Sequence, residues 1–95
     1  MIYRTQVKII ADILKATKEY GYNDEGGAGV TMIIRSANLP YNRLAKLLRE
    51  LVTAGLLDEA TKGKVQKYRI SGKGEEFLSA YSQFETFAES FGLRL

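Results

Sequence analysis

Four polar side chains recur on one side of a single stretch of the sequence, residues 41–54. Asn42 and Arg43 are adjacent, and Lys46 and Arg49 follow at intervals of three residues. On an ideal helix, with 100° between residues, all four point within roughly 120° of one another. Arginine can form two hydrogen bonds with guanine and asparagine two with adenine, and both lysine and arginine neutralise phosphates. These residue types at this spacing therefore indicate a surface that can bind duplex nucleic acid.

The same stretch predicts the helix that holds these side chains. Its apolar residues fall on the side opposite the polar ones, as in a helix with one buried face. Pro40 fits the first turn, where its missing N–H costs nothing, and Gly55 fits the position just after the end. We therefore predict a helix over Tyr41–Ala54. Its apolar side comprises Tyr41, Leu44, Ala45, Leu47, Leu48, Leu51, Val52 and Ala54.

Two short strands joined by a basic loop are predicted directly after this helix. Leu56–Glu59 and Val65–Ile70 have the composition of strands, and residues 60–64 contain the glycine of a hairpin loop. Lysines in such a hairpin are placed to neutralise the phosphates of a duplex. The candidates for this role are Lys62, Lys64 and Lys67.

A short helix and a tight turn are predicted directly before residues 41–54. The short helix covers about Thr31–Ser36, and the turn is Ala37-Asn38-Leu39. A short helix, a turn, a longer helix and a basic hairpin form the winged helix-turn-helix pattern. In that pattern the longer helix enters the major groove and the hairpin lies along the backbone. The predicted fold is therefore mainly α with a small β-hairpin.

The winged-helix pattern gives each candidate residue a role. Asn42, Arg43 and Lys46 lie in the first two turns of the longer helix, where side chains reach base edges. Arg49 lies further along the helix, so we expect it to meet a phosphate. Two further candidates for DNA contact are Arg35 and Tyr41.

The first helix is predicted over Tyr3–Tyr20, with Gly21 placed to end it. Its apolar residues cover an arc wide enough for burial against two neighbours. Residues 21–29 contain four glycines and are predicted to be a loop. This loop lacks the Lys-Ser/Thr of a phosphate-binding loop, so no nucleotide site is predicted there.

The last predicted helix runs from Ser71, its N-cap, to about Phe91. Five apolar residues repeat along it at spacings of 4, 3, 4 and 3, and four of them are aromatic. Phe87 lies beside this repeat and is the fifth aromatic residue of the stripe. Five aromatic side chains carry at least about 700 Å² of surface. Monomeric proteins rarely expose that much apolar surface in one patch. The residues concerned are Phe77, Tyr81, Phe84, Phe87, Ala88 and Phe91.

This stripe has two explanations. It could fold back onto the first helix of its own chain, or it could pair with the same helix of a second subunit. We favour the second, in the form of a homodimer held partly by the last helix and partly by the first. The chain is then expected to divide into a winged-helix DNA-binding domain, residues 1–74, and a C-terminal dimerisation helix, residues 75–95, packed on it.

The composition excludes several classes of function. The sequence has no cysteine and no histidine, which excludes disulfides, the usual zinc, haem and iron–sulfur ligand sets, and thiolate or Ser–His nucleophiles. Two adjacent acidic pairs, at 24–25 and 58–59, belong to a loop and a strand end and build no catalytic cleft. We expect a cytoplasmic protein without enzyme activity, cofactor or metal. No apolar run reaches the roughly 18–20 residues of a membrane span.

The net charge of +3 is spread unevenly. Residues 1–74 contain 13 Lys and Arg against 7 Asp and Glu, and residues 75–95 contain 1 against 4. A basic body with an acidic tail suggests that the body meets a polyanion.

The segments TMIIRSANLPYNRLAKLLRELVTAGLLDE and KYRISGKGEEFLSAY resemble a family of small archaeal winged-helix proteins, predicted transcriptional regulators. The best-known members are dimeric, chromatin-associated DNA-binding proteins. The resemblance is clearest at the Ala-Asn-Leu turn, the Gly-Leu-Leu segment and the Gly-Lys-Gly before the last helix. It implies DNA binding by Tyr41–Ala54 and dimerisation through the C-terminal helix.

A second hypothesis is that the chain is a protein-interaction module, because winged helices also serve as docking domains. The low net charge and the presence of Glu50 beside the basic residues favour it. If the chain binds DNA, these sequence patterns do not distinguish a sequence-specific regulator from a protein that coats chromatin generally.

Overall fold

The structure, a computed structural model, describes residues 5–22, 27–60 and 63–94. It confirms the predicted mainly helical winged helix-turn-helix arrangement, and the predicted helices and strands are present with small shifts at their ends. Lys62 and the acidic pair at 24–25 lie outside the described residues. The elements are α1 (Gln6–Tyr22), β1 (Ala28–Gly29), α2 (Val30–Ala37), α3 (Tyr41–Thr53), β2 (Leu57–Glu59), β3 (Lys67–Ile70) and α4 (Gly72–Glu89).

The sheet has one strand more than the predicted hairpin. Its three strands are ordered β1-β3-β2, and both pairs are antiparallel. The additional strand, β1, lies inside the segment predicted as a loop, where Ala28 is opposite Tyr68 and Gly29 opposite Lys67. Gly27 precedes it with φ +113°, and a Cβ at this position would overlap the Tyr68 carbonyl. This glycine therefore allows the chain to approach β3 closely.

The end of α1 also differs from the prediction. A glycine ends a helix when it adopts a left-handed conformation, and Gly21 does not have a positive φ. The helix consequently continues through Gly21 to Tyr22. The first positive φ in the described residues occurs later, at Gly27.

The core lies between α1, the helix-turn-helix and the sheet. α1 contacts α2, β1, β3 and α4, which explains its wide apolar arc. α3 contributes four buried leucines, at positions 44, 47, 48 and 51. Two residues assigned to the apolar side of this helix are exposed instead, Tyr41 and Ala54. Both lie at the ends of the helix. The largest fully buried side chains are Ile13, Leu14, Ile33, Leu44, Leu48, Leu57 and Thr17.

Local signals hold α3 in its orientation. Asn38 ends α2 with a left-handed backbone (φ 54°), and its N–H donates to the Ile34 carbonyl at 2.9 Å. At the other end of α3, the Gly55 and Leu56 N–H groups donate to the carbonyls of Val52 and Leu51. This is the pattern of a Schellman motif, and it confirms Gly55 as the residue after the helix end.

Pro40 is the N-cap of α3, whereas the prediction placed it in the first turn. Its backbone is extended, with φ −61° and ψ 147°. Its carbonyl accepts the first hydrogen bond of the helix, from the Leu44 N–H at 3.0 Å. Proline suits this position because its fixed φ is compatible with an extended backbone.

Ser71 connects the start of α4 to the end of α3. Its hydroxyl accepts a hydrogen bond from the Gly74 N–H at 3.0 Å, which confirms it as the N-cap. The same hydroxyl donates to the Gly55 carbonyl at 2.6 Å. Gly74 itself is buried against the Leu56 carbonyl and the Ile70 side chain. The first turn of α4 is thereby held against the sheet.

We expect Gly74→Ala to lower the free energy of unfolding by about 1–3 kcal/mol, the usual cost of overpacking. The new methyl group would overlap the Leu56 carbonyl oxygen and lie 2.7 Å from Ile70 Cγ1. The matched control is Gly72→Ala in the same turn, where a Cβ meets nothing within 4 Å. Urea unfolding at equal protein concentration measures both variants, and equal stability would contradict the prediction.

Candidate nucleic-acid interface

The outward side of α3 presents the four polar side chains that the sequence singled out. Asn42, Arg43, Lys46 and Arg49 are all exposed. They face away from the core because the four leucines of the helix occupy the opposite side. The spacing of three and four residues brings them onto neighbouring turns, so they form one polar surface.

The hairpin that follows α3, here called the wing (residues 60–67), supplies further basic residues. Lys64 is exposed, next to Gly63, whose φ of +63° forms the turn. Lys67 is half-buried at the start of β3. Two of the three lysines predicted to contact phosphates are therefore described, and they differ in accessibility.

α3 and the wing face each other across a cleft. The first residue of α3, Tyr41, is 57% exposed. It lines this cleft together with Lys64 and Lys67. The structure therefore brings Tyr41 to the surface between the two basic elements, next to Lys64. Arg35 is also exposed, but it lies in the last turn of α2.

A smaller groove connects α3 to the sheet. Tyr41, Arg49 and Gln66 line it, with Tyr68 behind them. Burial raises the pKa of Tyr68, and nearby Glu59 and Tyr41 raise it further, whereas Arg49 lowers it. Tyr68 is therefore an uncharged phenol at neutral pH, and Arg49 lies close enough to influence it. Because Arg49 shares this groove with Gln66 of the wing, it lies on the side of α3 that faces the wing.

One acidic residue lies among these cations. Glu50 is exposed on α3, on a shallow surface that it shares with Lys46 and Arg49. A carboxylate at this position repels phosphate, so the basic surface is not uniform. It lies towards the C-terminal half of the helix, away from Asn42 and Arg43.

The apolar stripe of α4 divides into two sets of residues. Tyr81 and Ala88 are buried, and Phe77 is partly buried against the core. These three contact their own chain in the structure. Tyr81 donates a hydrogen bond to the Glu85 carboxylate at 3.4 Å. Burial is the main cause that raises the pKa of the Tyr81 hydroxyl, and the negative charge of Glu85 raises it further.

The second set consists of aromatic residues that face solvent. Phe84, Phe87 and Phe91 are 59%, 63% and 67% exposed. The rings of Phe87 and Phe91 contact each other edge to face, with centroids 5.1 Å apart. Leu93, which sequence reasoning missed because it follows the helix, is also exposed, and it lines a groove with Glu85 and Glu89. The three phenylalanines are spaced three and four residues apart, so they share one side of α4 and form an apolar surface, here called the α4 patch (Phe84, Phe87 and Phe91).

Two other kinds of feature do not occur in the described parts of the chain. No helix there has the length and apolarity of a membrane span, and no three or more potential metal ligands come together there. The acidic pair of β2, Asp58 and Glu59, is exposed.

Comparison with known proteins gives a family and a structural relative. A family model described as winged helix-turn-helix matches residues 3–89. Among solved structures, Sso10a-2, a DNA-binding protein from Sulfolobus solfataricus, is similar with 27% sequence identity and a TM-score of 0.76. The similarity covers 93% of this chain and 85% of that one. Comparison with curated proteins finds no significant match.

Proposed function

The chain belongs to the winged helix-turn-helix family, and we propose that it is a homodimeric DNA-binding protein. In this proposal α3 reads the major groove and the wing follows the phosphate backbone. The similarity to the DNA-binding protein Sso10a-2 supports DNA as the partner. The protein acts in the cytoplasm, on the nucleoid, as a transcriptional regulator or a nucleoid-associated protein.

The observation that carries this proposal is the exposure of Asn42, Arg43, Lys46 and Arg49 on one side of α3. The two residues at the start of the helix can pair with base edges, since the N-terminal part of a recognition helix lies deepest in the groove. Lys46 follows one turn later on the same side. Arg49 faces the wing and is suited to a phosphate. The wing lysines and Arg35 add contacts to the backbone.

Retention on random duplex DNA at low salt tests the proposal. Release of counterions from DNA makes such binding fall steeply as salt rises. We expect tight binding at about 50 mM salt and a loss of a thousandfold or more by about 200 mM, the behaviour of proteins with six to ten phosphate contacts. A protein-docking module, the alternative that Glu50 favours, would show neither retention nor salt dependence.

Two single substitutions distinguish base reading from backbone binding. Arg43→Ala is expected to relax the preference at one base pair by about 1–3 kcal/mol, because it removes a contact to a base edge. Lys64→Ala is expected to weaken binding to all sequences alike, because it removes a phosphate contact. Titration of each variant against a set of single-base-pair substitutions measures both effects. Equal losses on every sequence for both variants would mean that Arg43 does not read bases.

The α4 patch supports the homodimer. Its three aromatic residues expose on the order of 400 Å² of apolar surface, a size at which patches on monomers are often functional. Two copies of this patch fall short of the roughly 1,200–2,000 Å² of a stable interface. A contribution from α1 would close this gap, and Val7, exposed near the start of α1, is an apolar residue available for it.

The choice between regulator and nucleoid protein depends on sequence preference. A regulator selects particular sites, whereas a protein that coats chromatin binds mainly through phosphates and DNA shape. Selection of binding sites from a random duplex library separates the two roles. A clear consensus supports a regulator, and a library that remains random supports a nucleoid protein.

A further inference from the structure

Three of the large apolar side chains that face solvent meet at a single place in the fold. Met32, Tyr41 and Val65 are 38%, 57% and 54% exposed. They belong to α2, α3 and the wing, and all three line the cleft between these elements. The cleft has a volume of about 580 Å³. We call these three side chains the cleft cluster.

The charge around the cleft cluster favours an anionic partner. Lys64 and Lys67 line the same cleft, together with the polar side chains of Thr31 and Gln66. Among the described residues that form the cleft, none is acidic. A surface that combines apolar and cationic side chains is complementary to a chain that alternates anionic groups and carbon surface. Nucleic acid has this character, because phosphates alternate with sugars and bases.

The cleft also lies between the two elements that the proposed function places on DNA. Tyr41 is the first residue of α3, and Val65 follows directly after Lys64 of the wing. Asn42 follows Tyr41 directly in the chain, so a duplex that contacts Asn42 and Lys64 together would lie close to this cleft. Side chains that are exposed in the free protein would then be buried against the duplex.

We propose that Met32 and Val65, with Tyr41, bind the carbon surface of the duplex and supply a component of affinity that salt does not remove. This inference rests on the proposed function. The carbon surface has two sources, the 5-methyl group of thymine and the deoxyribose carbons. Apolar side chains are suited to both, and contact with the thymine methyl also confers sequence preference.

Salt separates this component from the ionic one. A phosphate contact releases counterions, so its removal reduces the slope of log K against log salt by about 0.9. An apolar contact releases no counterions. Its removal lowers the binding constant K by the same factor at every salt concentration and leaves the slope of log K against log salt unchanged. Loss of a lysine in the cleft should therefore change the slope, whereas loss of an apolar side chain should change only the affinity.

The test uses two nearly isosteric substitutions, Met32→Gln and Val65→Thr, in the full chain. Each preserves side-chain size, and both sites are exposed, so the fold should be retained, as thermal unfolding can verify. We expect each variant to bind a fixed 30-base-pair duplex about three- to tenfold more weakly at every salt concentration, with an unchanged slope. Lys64→Gln should instead reduce the slope. The matched control is Thr86→Val, the same isosteric exchange in the opposite direction at an exposed residue of α4 away from the α4 patch, and it should bind like the wild type.

A second arm identifies the carbon surface. The wild type is titrated with the same duplex after uracil has replaced every thymine, which removes only the methyl groups. Weaker binding of the wild type to the uracil duplex supports contact with the thymine methyl. If the wild type binds both duplexes equally, and Met32→Gln and Val65→Thr still bind more weakly than the wild type, contact with deoxyribose is supported. Wild-type affinity of both variants at every salt concentration would overturn the inference. If the wild type binds no duplex at low salt, the proposed function fails instead.

Discussion

Replacing Phe84 with glutamate is expected to convert the proposed homodimer into a monomer. Phe84 is 59% exposed in the isolated chain, and a second subunit would bury it. Burial of a phenylalanine is worth about 1.5–3 kcal/mol, and a twofold-symmetric dimer contains two copies. Only the exposed 59% of each ring is newly buried, so the dimer dissociation constant should rise at least roughly 20- to 400-fold. The buried carboxylate adds a further cost.

Mass in solution, from light scattering or sedimentation, measures this effect. Thr86→Glu is the matched control, because Thr86 is exposed on the opposite side of α4 and the change in charge is the same. We expect the wild type and Thr86→Glu to have the mass of two chains and Phe84→Glu that of one. A monomeric wild type would rule out the homodimer, and a dimeric Phe84→Glu would exclude the α4 patch as its interface.

Removing three cations from α3 is expected to abolish most DNA binding. In the variant Arg43→Gln/Lys46→Gln/Arg49→Gln, three exposed side chains become uncharged while the buried leucines of the helix are unchanged. Hydrogen bonds to charged groups are worth about 1.5–3 kcal/mol each, so the affinity should fall on the order of a thousandfold or more. The slope of log K against log salt should also decrease, by about 0.9 for each phosphate that the variant no longer neutralises.

The control for total charge is a second triple variant, Lys15→Gln/Lys73→Gln/Arg94→Gln. These cations are also exposed, and they lie on α1, at the start of α4 and near the C-terminus. Both triple variants lower the net charge equally. We expect the control to retain most of the wild-type affinity for random duplex DNA. Equal reductions in the two variants would show that overall charge, and not the surface of α3, drives binding.

Much of the fold is predictable because its signals are local. The alternation of leucines with polar residues predicts α3 to within one residue, since this pattern depends on helix geometry alone. The Schellman glycine, Gly55, and the N-cap, Ser71, are predictable for the same reason. Each satisfies backbone groups within a few residues of itself. The exposure of Asn42, Arg43, Lys46 and Arg49 then follows from the burial of the opposite side.

The strand β1 could not be predicted in this way. It has two residues, too few for any alternation, and its hydrogen bonds are made with β3. The sequence around it is rich in glycine, which is typical of a loop. Here one of these glycines, Gly27, instead allows two backbones to approach each other. This property depends on a partner strand distant in sequence.

The sequence of this protein determined which residues form each helix and which side of α3 is polar, because helix periodicity is a property of neighbouring residues. It did not determine that the aromatic stripe of α4 divides between Tyr81, which is buried, and Phe84, which is exposed. It also gave no sign that Met32 and Val65 meet at one cleft. Both outcomes depend on how elements far apart in the chain pack together, and that arrangement decides which apolar side chains remain available to a partner.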